Sequence, residues 1–322
     1  MLLTVIIPCY NNSYALGRCL ESLASALSGG KVEAVVVDDG SSPDEAERIE
    51  RLSCRCGTAV QCVRIPHSGA SAARNSGMLL ARGRYVWFVD SDDTLIQPTL
   101  PYLLSQLDSL PADTLFFHTG PMTQREDNDA ENDFLPPDMG ATRKTDASRL
   151  LVPRTACLDH TTYIISSSLL KDEALRYPEG RRLLEDSSFV LRMLEKAACG
   201  YENPTMKVYL RHSGTSSITA SAWSAERSEA FVNDICLFFD EFGTYVGRHG
   251  DYTRLQGLYA RYRYVYLRVL AVKGAPWSCI ARFRTQVLGE GAKPSSFAEA
   301  VLFVAPIHRF LAWICRTIRR NY

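Results

Sequence analysis

Along the first hundred residues, short apolar runs without polar alternation take turns with stretches whose apolar positions recur at helical spacing. The runs Leu3–Ile7, Glu33–Val37, Val60–Ile65 and Tyr85–Val89 read as strands, and the last, five apolar residues in a row, as one buried on both faces. After Ser13, a candidate helix cap, Leu16, Cys19, Leu20 and Leu23 fall on one helical face, and Gly29-Gly30 ends the segment. Pro43 followed by Asp44, Glu45 and Glu47 opens a second helix, with Pro in the first turn and acids facing the positive end of the dipole. His67-Ser68-Gly69 opens a third, which carries Ser71, Arg74, Asn75 and Gly77. This β-α-β-α-β-α-β order predicts a doubly wound, mostly parallel α/β sheet flanked by helices, an architecture suited to nucleotides.

Further on, Gln124 to Asp133 is acidic and polar and reads as a solvated loop or insertion. Tyr163–Ser166 and Lys207–Arg211 read as strands, and Leu183–Leu194 as a helix with an acidic start. His212 then falls on a loop. Near Ala220 the composition turns helical, aromatic and basic, which divides the chain into 1–120, 121–219 and a helical C-terminal extension, 220–322. Tyr252 to Val269 has helical spacing and reads as packing against the preceding domain. Ala300–Cys315 is densely apolar but broken by Pro306 and His308-Arg309, and is shorter than the ~20 residues of a membrane span. With Trp313 beside Arg316, Arg319 and Arg320, it suits either a helix lying against an anionic membrane surface or a buried terminal helix.

Composition narrows the function classes. Lys plus Arg and Asp plus Glu both number 36, so global charge points away from nucleic acid. From Gly257 onward there are 11 Lys/Arg against two acids, which supports peripheral attachment to the inner face of a membrane. The ten cysteines show no paired CxxC and no neighbouring His at zinc spacing. Scattered cysteines and an N-terminus without a basic leader region fit a cytoplasmic protein.

The chemistry sits where the strands end. Asp38-Asp39 follows the second strand, and Asp90, Asp92 and Asp93 follow the fourth, at the rim where open α/β sheets bind ligands. Carboxylates this close favour a shared cation, and hard oxygen ligands suit Mg²⁺ or Mn²⁺. A plain acidic turn capping the next helix is the alternative. Neither a GxGxxG nor a GxxxxGK[ST] block is present, so phosphates bound here need a metal instead of a glycine-rich cradle.

Four ordered blocks, Thr4–Asn11, Val35–Ser41, Ser71–Gly77 and Phe88–Asp93, with the later Glu185-Asp186, closely resemble glycosyltransferase family 2. The resemblance covers about the first two thirds of the chain. It implies the GT-A fold and an inverting, metal-dependent transfer from a nucleotide-sugar donor. Pro8 and Tyr10 would then form the nucleobase pocket, and Asp39 would accept the uracil imide, which favours a UDP-sugar. Arg74 would reach base or phosphate. Asp93 would bind the metal with Asp92 beside the ribose, and Asp90 would be a supporting ligand or a structural acid. His212 would join the metal or diphosphate, unless it is structural. Asp186 would be the catalytic base, with Glu185 as its competitor and a helix cap as the bland reading. The basic, apolar tail suits a glycan acceptor that is lipid-linked, in cell-surface polysaccharide assembly. Two rivals are a non-catalytic nucleotide-sugar-binding relative and a haloacid-dehalogenase-like phosphohydrolase, whose DxDGTL block has Gly where this chain has Asp93.

Overall fold

The first strand, β1 (Leu3–Cys9), lies between β2 (Val32–Asp38) and β4 (Tyr85–Phe88) and runs parallel to both. This computed structural model describes residues 1–120, 123–125, 136–146, 158–197, 199–212, 223–249 and 252–288. The apolar segment 300–315 and most of the acidic stretch 124–133 lie outside them.

Helices α1 (Ser13–Ser28), α2 (Pro43–Arg55) and α3 (Ala70–Leu80) connect the first strands, with β3 (Val60–Arg64) after α2. The chain continues through β5 (Thr94–Leu95), α4 (Leu100–Ser109), β6 (Phe116–His118), β7 (Thr123–Arg125), β8 (Arg143–Asp146) and β9 (Tyr163–Ser166). Then come α5 (Ser167–Leu170), α6 (Glu185–Ala197), β10 (Cys199–Glu202) and β11 (Tyr209–His212). The main sheet has the order β3-β2-β1-β4-β9-β6-β10-β8, and β5-β11-β7 form a second, smaller sheet.

The doubly wound, mostly parallel sheet expected from the apolar runs is present. The order in which strands are added reverses between β1 and β4, the position where ligands settle beyond the strand ends. Two details depart from the local pattern. Strand β4 is parallel to β1 but antiparallel to β9. Ser13 opens α1 without a capping side chain, and its N–H is instead taken by Glu45 Oε2 of α2 at 2.8 Å.

Val5, Ile6, Ile7, Val36, Trp87 and Phe88 are fully buried, and each such side chain contributes about 1.5–3 kcal/mol. Pro8 sits beyond the last β1–β4 pair, Ile6 with Phe88, where its missing N–H costs little. Gly77 lets α3 lie flat on the sheet, since a Cβ there would meet Ile6 Cγ2 at 2.4 Å.

The described residues fall into two compact units. One holds all strands and α1–α6. The other contains Arg181–Leu184 and the helices α7 (Ala225–Arg248), α8 (Tyr252–Val272) and α9 (Trp277–Phe283). Within this helical unit Ser224 caps α7 through Arg227 N, and Phe239 makes edge contacts with Tyr259, Tyr266 and Phe283. No helix among the described residues is long and apolar enough to cross a membrane.

Candidate active site

The site begins where β1 and β2 end. Asn11, with φ of 49°, and the loop after β2 are stitched together by Asn11 N–H to Ser41 Oγ (2.9 Å) and Ser42 N–H to Asn11 Oδ1 (2.8 Å). This leaves Tyr10 48% exposed beside Pro8, its ring stacked on His67 at 4.2 Å and 22°. Asp38 serves the turn, accepting Ser41 N–H at 2.9 Å. Asp39 is buried and accepts Ser68 N–H (2.7 Å) and Gly69 N–H (2.9 Å) in front of α3. Gly40, at φ of 72°, is required here, because a Cβ would strike His67 N at 2.6 Å. Pro8, Tyr10, Asp39 and His67 therefore share one wall.

The carboxylates after β4 have three different environments. Asp90 Oδ1 receives Arg74 Nη2 at 2.8 Å. Burial pushes its carboxyl up, but Arg74 and the nearby His160 ring overcome that and hold it far below the usual range. Asp93 is only 3% exposed and accepts the Tyr209 hydroxyl (2.8 Å) and His212 N–H (2.9 Å). Burial, with the charge of Asp90, nevertheless pushes the Asp93 carboxyl up to about 7. Asp92 is the most exposed of the three, yet the protein around its carboxyl takes away part of its hydration, and this, with the Asp90 charge, pushes it upward. Desolvation and mutual repulsion thus raise two of the three acids, against the partial relief that the Arg211 and Arg18 charges give Asp92.

His212 closes this side from the end of β11, not from a loop. Its Nε2 lies 2.8 Å from Thr94 Oγ1. Asp92 offers an exposed carboxylate, the ligand type that suits Mg²⁺ or Mn²⁺, and His212 adds an imidazole from a residue whose backbone N–H is held by Asp93 Oδ1. Asp93, expected as the metal ligand, has both oxygens engaged by protein donors, and Asp90 is held by arginine.

Arg74, expected to reach the nucleotide, lies beneath the site. It is 5% exposed, bridges Asp90 and Glu185 Oε1 (3.3 Å), and places its guanidinium 5.2 Å from the Tyr177 ring centroid. The pairing separates the two acids that open α6. Glu185 is held by a guanidinium, while burial and the Glu185 charge push Asp186 up to about 6. Leu184, in a left-handed conformation at φ of 62°, precedes the pair; strained backbone of this kind concentrates at functional sites.

Several site residues escaped the sequence reading. Trp87 Nε1 donates to Thr161 O at 2.6 Å and pins the turn His160–Thr162 against β4. That brings His160, 2% exposed, to 3.7 Å from Asp90 and places it in a cluster with Asp159 and Asp186 whose ligand atoms lie within 4.8 Å of one another. Asp159 in turn pairs with Arg211 at 2.6 Å. The one local signal was the polar run Asp159-His160-Thr161-Thr162 directly before an apolar strand.

Comparison with known proteins bears on the family and the fold. Residues 4–161 match the family model described as Glycosyl transferase family 2. The chain is 25% identical over 206 residues to the uncharacterized glycosyltransferase EpsJ of Bacillus subtilis, covering 61% of this chain and 57% of EpsJ. It is 28% identical over 193 residues to the poly(ribitol-phosphate) beta-N-acetylglucosaminyltransferase TarS of Staphylococcus aureus, covering 60% of this chain and 32% of TarS. The alignments thus span less than two thirds of these relatives' own lengths. The crystal structure of S. aureus TarS 1–349 in complex with UDP-GlcNAc superposes with a TM-score of 0.60 at 20% identity, over 100% of this chain and 92% of that one. At that identity the superposition establishes the fold, which is the GT-A arrangement. Through residues 4–161, with the aspartates of β2 and β4 at their strand ends, the chain belongs to glycosyl transferase family 2.

Proposed function

We propose that this protein is an inverting glycosyltransferase that moves a sugar from a nucleotide-sugar, a UDP-sugar by the family resemblance at Asp39, to an acceptor hydroxyl. The carrying observation is the division of labour between two adjacent acids. Glu185 is held in place by Arg74, while burial and the Glu185 charge push the Asp186 carboxyl up to about 6. Neighbouring groups whose environments differ this way mark acid–base assignments.

In this reading the base lies against Tyr10, with the Asp39 backbone and carboxylate at its edge. Asp186 takes the proton from the acceptor hydroxyl. The acceptor oxygen forms its bond to the anomeric carbon from one face while the bond to the diphosphate oxygen breaks on the other. The electron pair leaves with the nucleoside diphosphate, and one displacement inverts the centre. Asp92 and His212 would hold a divalent cation, Mg²⁺ or Mn²⁺, which when bound neutralises charge on the diphosphate. Asp93 orients His212, and Arg74 keeps Asp90 and Glu185 in place. The phosphohydrolase reading needs Asp90 as a nucleophile, and the ion pair with Arg74 removes it from that role.

The acceptor is proposed to be a lipid-linked glycan of the cell envelope, met at the inner face of the cytoplasmic membrane. The names of the relatives support an envelope polymer, and the basic tail, 11 Lys/Arg against two acids, supports an anionic surface.

The test is titration calorimetry of UDP, GDP and dTDP with and without Mn²⁺, followed by nucleoside diphosphate release from the matching sugars. Expected are Mn²⁺-dependent UDP binding lost in Asp92→Ala, and turnover that rises with pH through about 6 and falls at least ~100-fold in Asp186→Asn. Absence of nucleotide binding under every condition overturns the reading.

A further inference from the structure

His160 has no part in the scheme above, yet it is buried at its centre. Both ring nitrogens are inaccessible and have no hydrogen-bond partner, an arrangement that native proteins avoid because an unsatisfied buried donor costs about 1–3 kcal/mol. The ring is not free to turn away. It stands edge-on to Phe88 (6.1 Å, 85°) and to Tyr177 (5.7 Å, 89°), and the Trp87–Thr161 bond fixes its turn from below. Three carboxylates are within reach, and one of them, Asp159 of the same cluster, is already paired with Arg211 at 2.6 Å. Asp90, at 3.7 Å, already holds the Arg74 guanidinium at 2.8 Å on the same oxygen. Asp186 lies within the 4.8 Å cluster and has the Ser187 N–H on one oxygen at 2.7 Å.

We propose that His160 is the positioning residue of Asp186: an imidazole N–H, held in place by Phe88, Tyr177 and the Trp87-anchored turn, donates to the Asp186 carboxylate and fixes the oxygen that meets the acceptor hydroxyl. The inference rests on the reading of Asp186 as the base. The contact is longer than a hydrogen bond in the free protein, as catalytic contacts commonly are before substrate fills the site. His160 itself touches neither substrate nor reacting atoms. The titratable groups facing Asp186 are Glu185, His160, Asp159 and Tyr177.

The experiment uses the full chain with ¹³Cγ-labelled aspartate, and Asp186 is assigned by the signal lost in Asp186→Asn. His160→Phe keeps the ring volume and both edge contacts while removing the two nitrogens, so it is expected to fold. The Asp186 midpoint should rise by about one pH unit for loss of a donor to a carboxylate. His160→Asn or His160→Gln, which restore an N–H, should return it. Nucleoside diphosphate release from the panel of UDP-, GDP- and dTDP-sugars should fall ~10–100-fold in His160→Phe, with UDP affinity unchanged, and adding His160→Phe to Asp186→Asn should bring no loss beyond that of Asp186→Asn alone. An unchanged Asp186 midpoint in His160→Phe, or a loss of Mn²⁺ affinity, overturns the proposal; the latter would make the cluster a metal site. Retained turnover in Asp186→Asn overturns the base assignment instead, whatever the midpoint does.

Discussion

The Tyr209 hydroxyl donates to Asp93 Oδ2 over 2.8 Å and accepts the Asp90 N–H over 3.1 Å. One buried oxygen thus ties β11 to the acidic turn after β4. Removing it leaves a buried carboxylate and a backbone donor short of a partner. Tyr209→Phe should cost about 2 kcal/mol in urea unfolding. Asp92→Asn, at an exposed position beside two like charges, should stay within about 0.5 kcal/mol of wild type.

Arg74 holds two acids with two different nitrogens, Asp90 on Nη2 and Glu185 on Nη1. A lysine presents one compact charge and cannot reach both in that geometry. Arg74→Lys should therefore destabilise by about 3 kcal/mol, and turnover should fall more than tenfold because Glu185, once released, competes for position with Asp186. Equilibrium unfolding and diphosphate release on the same preparations check the two parts.

Asn75 acts as a piece of strand. Its Nδ2 donates to Tyr177 O (3.0 Å) and Glu179 Oε1 (2.9 Å), and its Oδ1 accepts Tyr177 N–H (2.9 Å). Asn75→Asp turns the donor into an anion facing a carbonyl and a carboxylate. A loss of about 3 kcal/mol is expected in chemical denaturation at neutral pH.

His118 on β6 has both ring nitrogens buried without a partner, and burial pushes its pKa down from 6.5 to about 4. A depressed histidine means that the unfolded chain binds the proton first. The stability contribution is whole above pH 6.5 and is lost as pH falls toward 4. Going from about pH 7.5 to about 5, wild type should lose about 2 kcal/mol more than His118→Phe. Parallel unfolding curves for the two proteins across that range would refute it.

Much of the fold is written in contiguous apolar runs. β1, β2, β3 and β4 are each bounded by turn residues, so their local pattern suffices. The antiparallel seam of β4 with β9 is different, because it joins Trp87 to Ile164 and no local pattern names a partner that far away. The same distinction governs the site. Carboxylates at strand ends are visible one by one, but which of them is free depends on Arg74 meeting Glu185 across 111 residues and Tyr209 meeting Asp93 across 116. The family resemblance points to Asp93, Asp92, Asp90 and His212 together, and only the packing shows that Asp93 is buried against Tyr209 while Asp92 stays exposed. His160 was invisible for the same reason: its importance comes from what surrounds it.

At the two ends of the main sheet lie β3 and β8. Both end strands are guarded. β8 reads Arg-Lys-Thr-Asp with only Thr145 buried, and β3 carries exposed Gln61 and Arg64. A second chain seeking to extend the ladder would have to desolvate those charges. The apolar centre of the sheet is thereby kept out of reach of strand addition, and this protein should resist edge-to-edge association at concentrations where a sheet with apolar borders would aggregate.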